Sequence, residues 1–183
     1  MRVTRLILVA AFAVLASAAQ AESVYTDLDL DACDVVETYE GGGADLRCDG
    51  YEGWDVWVHD GDARTDVDYG YWNDNFESFS AFNGPGPKIE WMLDAGGTPY
   101  AAALRFLIDV DGRKAQALVV SKPGDSEVPG CVIGVVDAAA DQANGVARGL
   151  GAMAPLFDCA SDPVVIVPGA SELVSQFNGA NNN

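Results

Sequence analysis

The segment between Cys131 and Cys159 constrains the possible folds of this chain more than any other. It begins with the apolar run Cys131-Val132-Ile133-Gly134-Val135-Val136, whose composition is typical of a β-strand. Asp137 follows, and its carboxylate makes it a good helix N-cap because it can accept a hydrogen bond from a free backbone amide. Within residues 138–157, apolar side chains recur at helical spacing, at Val146, Leu150, Met153 and Phe157. The segment therefore predicts one main helix, at about 138–157, packed on a sheet and tied to it through Cys159.

The first 21 residues have the organisation of a signal peptide. Arg2 and Arg5 form a basic start, an apolar stretch covers residues 6–15, and Ala19-Gln20-Ala21 matches a cleavage site. The apolar stretch is too short to span a bilayer. We therefore expect a mature protein that starts near Glu22, is periplasmic or secreted, and does not insert into the membrane after signal cleavage. An uncleaved signal anchor is the alternative.

The four cysteines of an exported chain predict two disulfides, for which three connectivities are possible. We expect the local pairing, Cys33 with Cys48 and Cys131 with Cys159. Each bridge would stabilise the fold by about 3 kcal/mol in the chain-entropy picture. A zinc–thiolate site is disfavoured, because the chain has no C-x-x-C motif and only one histidine.

The chain is strongly acidic, with 28 acidic and 10 basic residues. Residues 22–94 alone hold 19 acidic and 3 basic residues. Such a charge repels nucleic acid and anionic lipid, and it favours cations or basic partners. The possible partners are therefore a basic protein or a divalent cation, and no nucleic acid. A solvated acidic surface, such as an adaptation to high salt, is the alternative.

A β-hairpin is predicted at residues 54–69, with its turn at Asp60-Gly61. Side chains alternate between the two faces of a strand, so Val56, Val58 and Val67 should lie on the core face. The opposite, polar face should carry Asp55, Trp57, His59, Asp62, Arg64, Asp66 and Asp68. A turn at Gly61-Asp62 would keep the same division of faces.

The polar face of this hairpin is the candidate binding site, formed by Asp55, Trp57, His59, Arg64, Asp66 and Asp68. We expect Asp55 to lie opposite Asp66 or Asp68, about 5 Å away between Cβ atoms. Like charges this close repel unless a cation lies between them. Arg64 is the internal candidate for that cation, calcium is the external one, and we favour the internal or solvated arrangement. Trp57, exposed among carboxylates, would suit an interface.

No cofactor is predicted, although calcium stays possible. Asp27, Asp29 and Asp31 begin like a calcium-binding loop, but Ala32 and Thr38 stand where that loop needs Gly and Glu. His59 is the one side chain that titrates near neutrality without perturbation. It could act as a base, but no motif places a nucleophile beside it. A surface histidine next to a turn is the simpler interpretation.

The remaining patterns predict an α+β fold, a mostly antiparallel sheet with one main helix and two local disulfides. Residues 72–82 carry aromatic side chains at near-helical spacing and predict a short amphipathic helix. Residues 100–108 and 114–121 are the most apolar strands and should be central in the sheet. We expect one domain at residues 22–177 and a disordered tail at residues 178–183.

Several segments resemble a family of uncharacterised exported proteins of alphaproteobacteria. They include Tyr25-Thr26-Asp27-Leu28-Asp29-Leu30-Asp31, Leu46-Arg47-Cys48, Gly50-Tyr51, Glu90-Trp91, Ala117-Leu118-Val119-Val120-Ser121, Val136-Asp137-Ala138 and Phe157-Asp158-Cys159. The resemblance covers most of the mature chain and implies export and a single disulfide-bearing domain, but no activity. This chain differs from the pattern in its helix, where Gly145, Gly149 and Gly151 replace better helix formers at about 1 kcal/mol each relative to alanine.

Together, these features predict an exported, acidic, non-catalytic binding protein that contacts a cationic partner. Two alternatives stay open. One is an enzyme with an unrecognised site near His59 or at a pair of acids. The other is a structural envelope protein stabilised by calcium.

Overall fold

The computed structural model of this protein describes residues 22–126 and 128–179, so the signal peptide predicted at residues 1–21 lies outside the described part. The strands are β1 (Glu22–Asp27), β2 (Asp34–Thr38), β3 (Ala44–Cys48), β4 (Val56–Gly61), β5 (Arg64–Tyr69), β6 (Ser78–Phe79), β7 (Phe82–Leu93), β8 (Pro99–Val110), β9 (Arg113–Lys122), β10 (Cys131–Asp137), β11 (Val165–Ile166) and β12 (Phe177–Asn178). The helix is α1 (Ala143–Gly151), and three short 3-10 helices are Leu30–Ala32, Ala154–Leu156 and Val174–Gln176. The predicted fold class is confirmed.

The strands form a six-stranded sheet, a four-stranded sheet and a two-stranded pair. The large sheet has the order β1-β7-β8-β9-β10-β11, and only its β10–β11 pair is parallel. The small sheet has the order β2-β3-β4-β5. One face of the large sheet packs on the small sheet and the other on α1. β8 and β9 lie centrally in this sheet, as predicted, and both of their faces are covered along most of their length, which accounts for their apolar runs.

The main helix is shorter than the predicted 138–157 at both ends, because it begins at Ala143 and ends at Gly151, and Ala154–Leu156 is a separate 3-10 helix. Asp137 does not cap it. The carboxylate of Asp137 instead accepts hydrogen bonds from the amides of Ala139 and Ser171, at 2.9 and 2.8 Å. Residues 138–142 consequently form a turn, and α1 starts only after Gln142, whose backbone is left-handed with a φ of 55°.

Both predicted disulfides are present, Cys33–Cys48 and Cys131–Cys159, and no cysteine is free. Disulfides of this kind are typical of proteins in oxidising compartments outside the cytoplasm. Within residues 22–126 and 128–179, no helix is long and apolar enough to cross a membrane.

The predicted hairpin is formed by β4 and β5, with its turn at Asp62-Ala63 rather than at Asp60-Gly61. Both turn residues have positive φ, 53° and 55°, as in a type I′ turn. The division of faces is the predicted one, since the core of the protein includes Val56, Val58 and Val67.

The short helix predicted at residues 72–82 is absent, and this prediction is wrong. Residues 72–77, here called the strap, run irregularly across the polar face of the hairpin and lead into β6. The amide and the side-chain nitrogen of Asn73 both donate to Asp68, and the side-chain oxygen of Asn73 accepts from the amide of Asn75. Side-chain bonds of this kind compete with the backbone ladder of a helix.

The ordered chain continues slightly beyond residue 177, the predicted end of the domain. Asn178 pairs with Ser78 between β12 and β6, and the ring of Phe177 packs edge-on against Phe79 at 5.0 Å. Gly179 is buried. The rest of the predicted tail, residues 180–183, lies outside the described part.

The glycines of α1 give two predictions of opposite sign. A Cβ at Gly149 would meet nothing within 4 Å, whereas a Cβ at Gly151 would lie 2.2 Å from Sδ of Met92 and 3.3 Å from Cβ of Ala101. We expect Gly149→Ala to raise the free energy of unfolding by about 0.5–1 kcal/mol, because it lowers the entropy of the unfolded chain. Gly151→Ala should lower it. Urea denaturation of both variants checks this, and stabilisation by Gly151→Ala would contradict the close packing of α1.

Candidate functional site

The polar face of the β4–β5 hairpin is buried rather than solvated. Asp66 and Asp68 are only 1% and 5% exposed, because the strap covers them. His59 is also largely buried, with 14% of its side chain exposed. The interpretation of His59 as a surface histidine beside a turn is therefore wrong.

Within the hairpin, the cross-strand neighbours differ from those predicted. His59 lies opposite Asp66, and Trp57 lies opposite Asp68. Asp55 lies beyond the pairing, where its carbonyl accepts a hydrogen bond from the amide of Gly70 at 2.7 Å. The predicted opposition of Asp55 to another aspartate is thus wrong, since the turn comes later in the chain than expected.

The two arginines near the hairpin bind other acids. Arg64, the predicted internal cation, binds Asp62 at 2.5 Å and donates to the carbonyl of Ser80 at 2.8 Å. Arg47 binds Asp55 at 2.9 Å. The prediction that Arg64 lies between Asp55 and Asp66 or Asp68 is wrong: Arg47 pairs with Asp55, and the basic side chain beside Asp66 and Asp68 is His59.

Trp57 is half-buried and is not a free anchor for a partner. Its indole nitrogen donates to the carbonyl of Gly70 at 2.8 Å, and its ring lies 5.5 Å from that of Trp72 in the strap. Trp72 also lies 5.0 Å from the imidazole of His59. These rings pack the strap against the hairpin and exclude water from the acids beneath it.

Asp45, on β3 directly opposite His59, is a site residue that the sequence patterns did not single out. Its carboxylate lies 3.0 Å from Nδ1 of His59 and accepts a 2.5 Å hydrogen bond from the hydroxyl of Tyr39. The hydrogen bond to Asp45 is the main reason why the pKa of Tyr39 is raised to about 12. Asp45 therefore engages one imidazole nitrogen and leaves the other to point towards Asp68.

Two buried polar atoms at the centre of the site have no hydrogen-bond partner. They are Nε2 of His59 and Oδ2 of Asp66. Nε2 lies 3.7 Å from the nearer carboxylate oxygen of Asp68, which is too far for a hydrogen bond. One ligand atom from each of His59, Asp66 and Asp68 lies within 4.8 Å of the other two. These three side chains could hold a metal ion.

The electrostatics of the site favour additional positive charge. Burial raises the pKa of Asp66 well above its ordinary value, and the neighbouring carboxylates of Asp68 and Glu77 raise it further. Burial alone would lower the pKa of His59, but its contacts with Asp68 and Asp45 outweigh this and raise it to about 9. Both shifts have one cause, which is negative charge held away from water.

A surface cavity of about 330 Å³ lies next to His59. Its lining includes Tyr39, Asp45, Asp60, Trp72 and Phe76. The cavity thus opens to solvent beside the imidazole and Asp45, along the margin of the strap.

Comparisons with family models, curated proteins and solved structures give no match for this chain.

The loop with Asp27, Asp29 and Asp31, which begins like a calcium-binding loop, does not gather its carboxylates into a comparable site. Asp27 pairs with Lys88 on the surface. Asp29 accepts a hydrogen bond from the amide of Asp31 and so caps the 3-10 helix Leu30–Ala32. Both carboxylates are exposed, and their contacts are those of ordinary turn residues.

Proposed function

We propose that this protein is an exported binding protein, periplasmic or secreted, whose ligand is a cation held beneath the strap. The predicted signal peptide, the resemblance to exported proteins and the two disulfides support the location. The acidic composition supports a cationic ligand. In this proposal the ligand binds at the buried hairpin face rather than on the exposed surface.

The observation that carries this proposal is the concentration of buried acids around one histidine. Asp45, Asp66, Asp68 and Glu77 are each less than 10% exposed. His59 lies 3.0 Å from Asp45 and 3.7 Å from Asp68, and a carboxylate oxygen of Asp66 lies within 4.8 Å of the imidazole. Burying a carboxylate is costly unless it is paired and hydrogen-bonded. One imidazolium cannot neutralise this many carboxylates, and the raised pKa of Asp66 shows that the empty site favours a proton on that carboxyl group. A bound cation would displace this proton and supply the missing positive charge.

The same geometry supports binding rather than catalysis. Nδ1 of His59 is occupied by Asp45, and Nε2 is buried. A general base must reach the proton it removes, directly or through one water. A substrate in the adjacent cavity would therefore meet one nitrogen already bonded to Asp45 and another that is buried, so the alternative of an enzyme centred on His59 is disfavoured.

Thermal melting in the presence of different cations tests the proposal. The disulfide-bonded protein, stripped with a chelator, should be melted with calcium, magnesium, zinc, manganese, spermidine or a lysine-rich peptide. A cation at about 100 times its dissociation constant should stabilise the fold by about 2.7 kcal/mol and raise the melting temperature. Calcium as the one effective cation would favour the calcium-stabilised structural protein.

The control for this experiment is a pair of matched variants. Asp66→Asn removes a buried carboxylate, whereas Asp111→Asn removes an exposed one at a turn whose positive φ suits asparagine. The stabilisation should disappear in the first variant and persist in the second. The proposed function is wrong if no cation raises the melting temperature of the unmodified protein by more than it raises that of the Asp66→Asn variant.

A further inference from the structure

The donor atoms that face one another beneath the strap are one imidazole nitrogen and carboxylate oxygens from two aspartates. Calcium and magnesium prefer sites built from oxygen alone, and calcium takes six to eight of these. Imidazole nitrogen suits zinc, copper, iron and nickel. The mixed donor set therefore selects a transition metal over the alkaline-earth ions that the acidic composition alone would favour.

The separation of these atoms is close to what a small metal ion requires. Metal–ligand distances of about 2.0–2.2 Å in a tetrahedral site place neighbouring ligand atoms about 3.4 Å apart. Nε2 of His59 and the Asp68 oxygen are already 3.7 Å apart, and the widest separation in the set is no more than 4.8 Å. Small side-chain movements would bring the three atoms to coordination distance.

An independent observation marks two of the same three residues. Oδ2 of Asp66 is without a hydrogen-bond partner in a residue that is 1% exposed, and Nε2 of His59 is also buried and without a partner. Buried polar atoms in folded proteins nearly always have a partner, so each exception needs an explanation. A shared metal ion would satisfy both atoms at once.

The outer contacts orient the ligands as in known metal sites. Asp45 binds Nδ1 of His59, which leaves Nε2 as the atom for the metal, and Asn73 holds the carboxylate of Asp68 through two hydrogen bonds. Metal-binding histidines almost always carry such a carboxylate or carbonyl partner on the other nitrogen. His59 and Asp68 are thus each held in place by a second residue.

We infer that the site binds one divalent transition-metal ion through Nε2 of His59 and the carboxylates of Asp66 and Asp68, with Asp45 as the positioning residue for the imidazole. The ion replaces the protons that Nε2 and the Asp66 carboxyl group hold in the empty site, and these protons pass to solvent. This inference rests on the proposed function and names the class of its cation. Zinc is the appropriate test ion, because it accepts imidazole and carboxylate together and has no redox chemistry of its own.

Zinc binding to the full chain, oxidised, chelator-stripped and free of any histidine tag, should be measured by calorimetry. We expect one zinc per chain and no competition from millimolar calcium. Loss of an outer partner typically weakens a metal site about 10–100-fold, which is the effect expected for Asp45→Asn. Asp66→Asn and His59→Gln, which remove direct ligands, should weaken binding by about 100-fold or more. Asp111→Asn should bind as the unmodified protein does.

A second measurement needs no substitution, so it is unaffected if a variant fails to fold. His59 is the sole histidine, and a chain labelled with ¹⁵N-histidine gives only two ring-nitrogen signals. Zinc should shift the Nε2 signal strongly and leave Nδ1 near its metal-free position. Unchanged signals at saturating zinc, or coordination through Nδ1, would overturn the inference.

The two proposals fail differently. If calcium or spermidine stabilises the protein in a manner that depends on Asp66 while zinc does not bind, the metal assignment is wrong and the cation-binding function stands. If no cation binds at all, both are wrong.

Discussion

Replacing Trp91 with alanine is expected to lower the free energy of unfolding by about 4 kcal/mol, within the range of about 3–5 kcal/mol found for large aromatic residues in protein cores. Trp91 is fully buried on β7 of the large sheet, and its ring meets Tyr69 of the small sheet edge-on at 5.4 Å. Its indole nitrogen donates to the hydroxyl of Thr26 at 2.8 Å. Truncation would leave a cavity where the two sheets pack. Urea denaturation measures the loss.

Two further variants separate the contributions of Trp91. Trp91→Phe keeps a ring against Tyr69 and should lose much less than the alanine variant. Thr26→Val removes the partner of the indole nitrogen while keeping the side-chain volume, and should cost about 1 kcal/mol, the usual net value of a hydrogen bond. A loss below about 2 kcal/mol in Trp91→Ala would contradict this packing, since it falls below the usual range.

The sequence patterns predicted those features that depend on local composition and alternation. Apolar runs on both faces placed β8 and β9 in the middle of the large sheet. Alternation divided the hairpin correctly into a face with Val58 and a face with His59, although the turn was misplaced. That error did not matter for the faces, because moving a two-residue turn by one or two positions keeps each side chain on its own side of the strand.

The turn itself is set by contacts that are distant in sequence. Asp-Gly is a strong signal for a type I′ turn, but β4 continues through Asp60, which pairs with Ala44 of β3. The carbonyl of Ala63 in the actual turn accepts a hydrogen bond from the amide of Asn83 on β7, at 3.0 Å. Contacts with β3 on one side of the hairpin and β7 on the other thus override the local preference for a turn at Asp60-Gly61.

Burial of the candidate site could not be predicted from alternation, because alternation says which residues share a face and not what covers that face. Polar residues on one face of an antiparallel sheet ordinarily indicate solvent. Here the strap covers them, held by Asn73 on Asp68. Asp45 was missed for a related reason, since its position opposite His59 depends on the pairing of β3 with β4. The aromatic spacing of residues 72–82 predicted a helix, and a helix there would not have indicated that residues 72–77 cover the hairpin acids.

Two substitutions at the site should change the stability of the metal-free protein in opposite directions. His59→Gln removes the cation between Asp45 and Asp68 and should destabilise the fold by about 3 kcal/mol, as expected when one partner of a buried ion pair is lost. Asp66→Asn removes a carboxyl group that is costly to bury beside Asp68 and Glu77, as its raised pKa shows, and should stabilise the fold by about 1 kcal/mol, a typical gain for one favourable substitution. Urea denaturation in excess chelator measures both, with Asp111→Asn as the neutral control.

With zinc present, the unmodified protein should have a higher free energy of unfolding than Asp66→Asn, because only the unmodified protein gains the free energy of zinc binding. A site that destabilises the empty protein and stabilises the loaded one is what selection for binding, rather than for stability, would retain. Were Asp66→Asn to destabilise the metal-free protein as much as His59→Gln does, the carboxylate of Asp66 would already be fully compensated without a ligand. The charge deficit on which cation binding depends would then not exist.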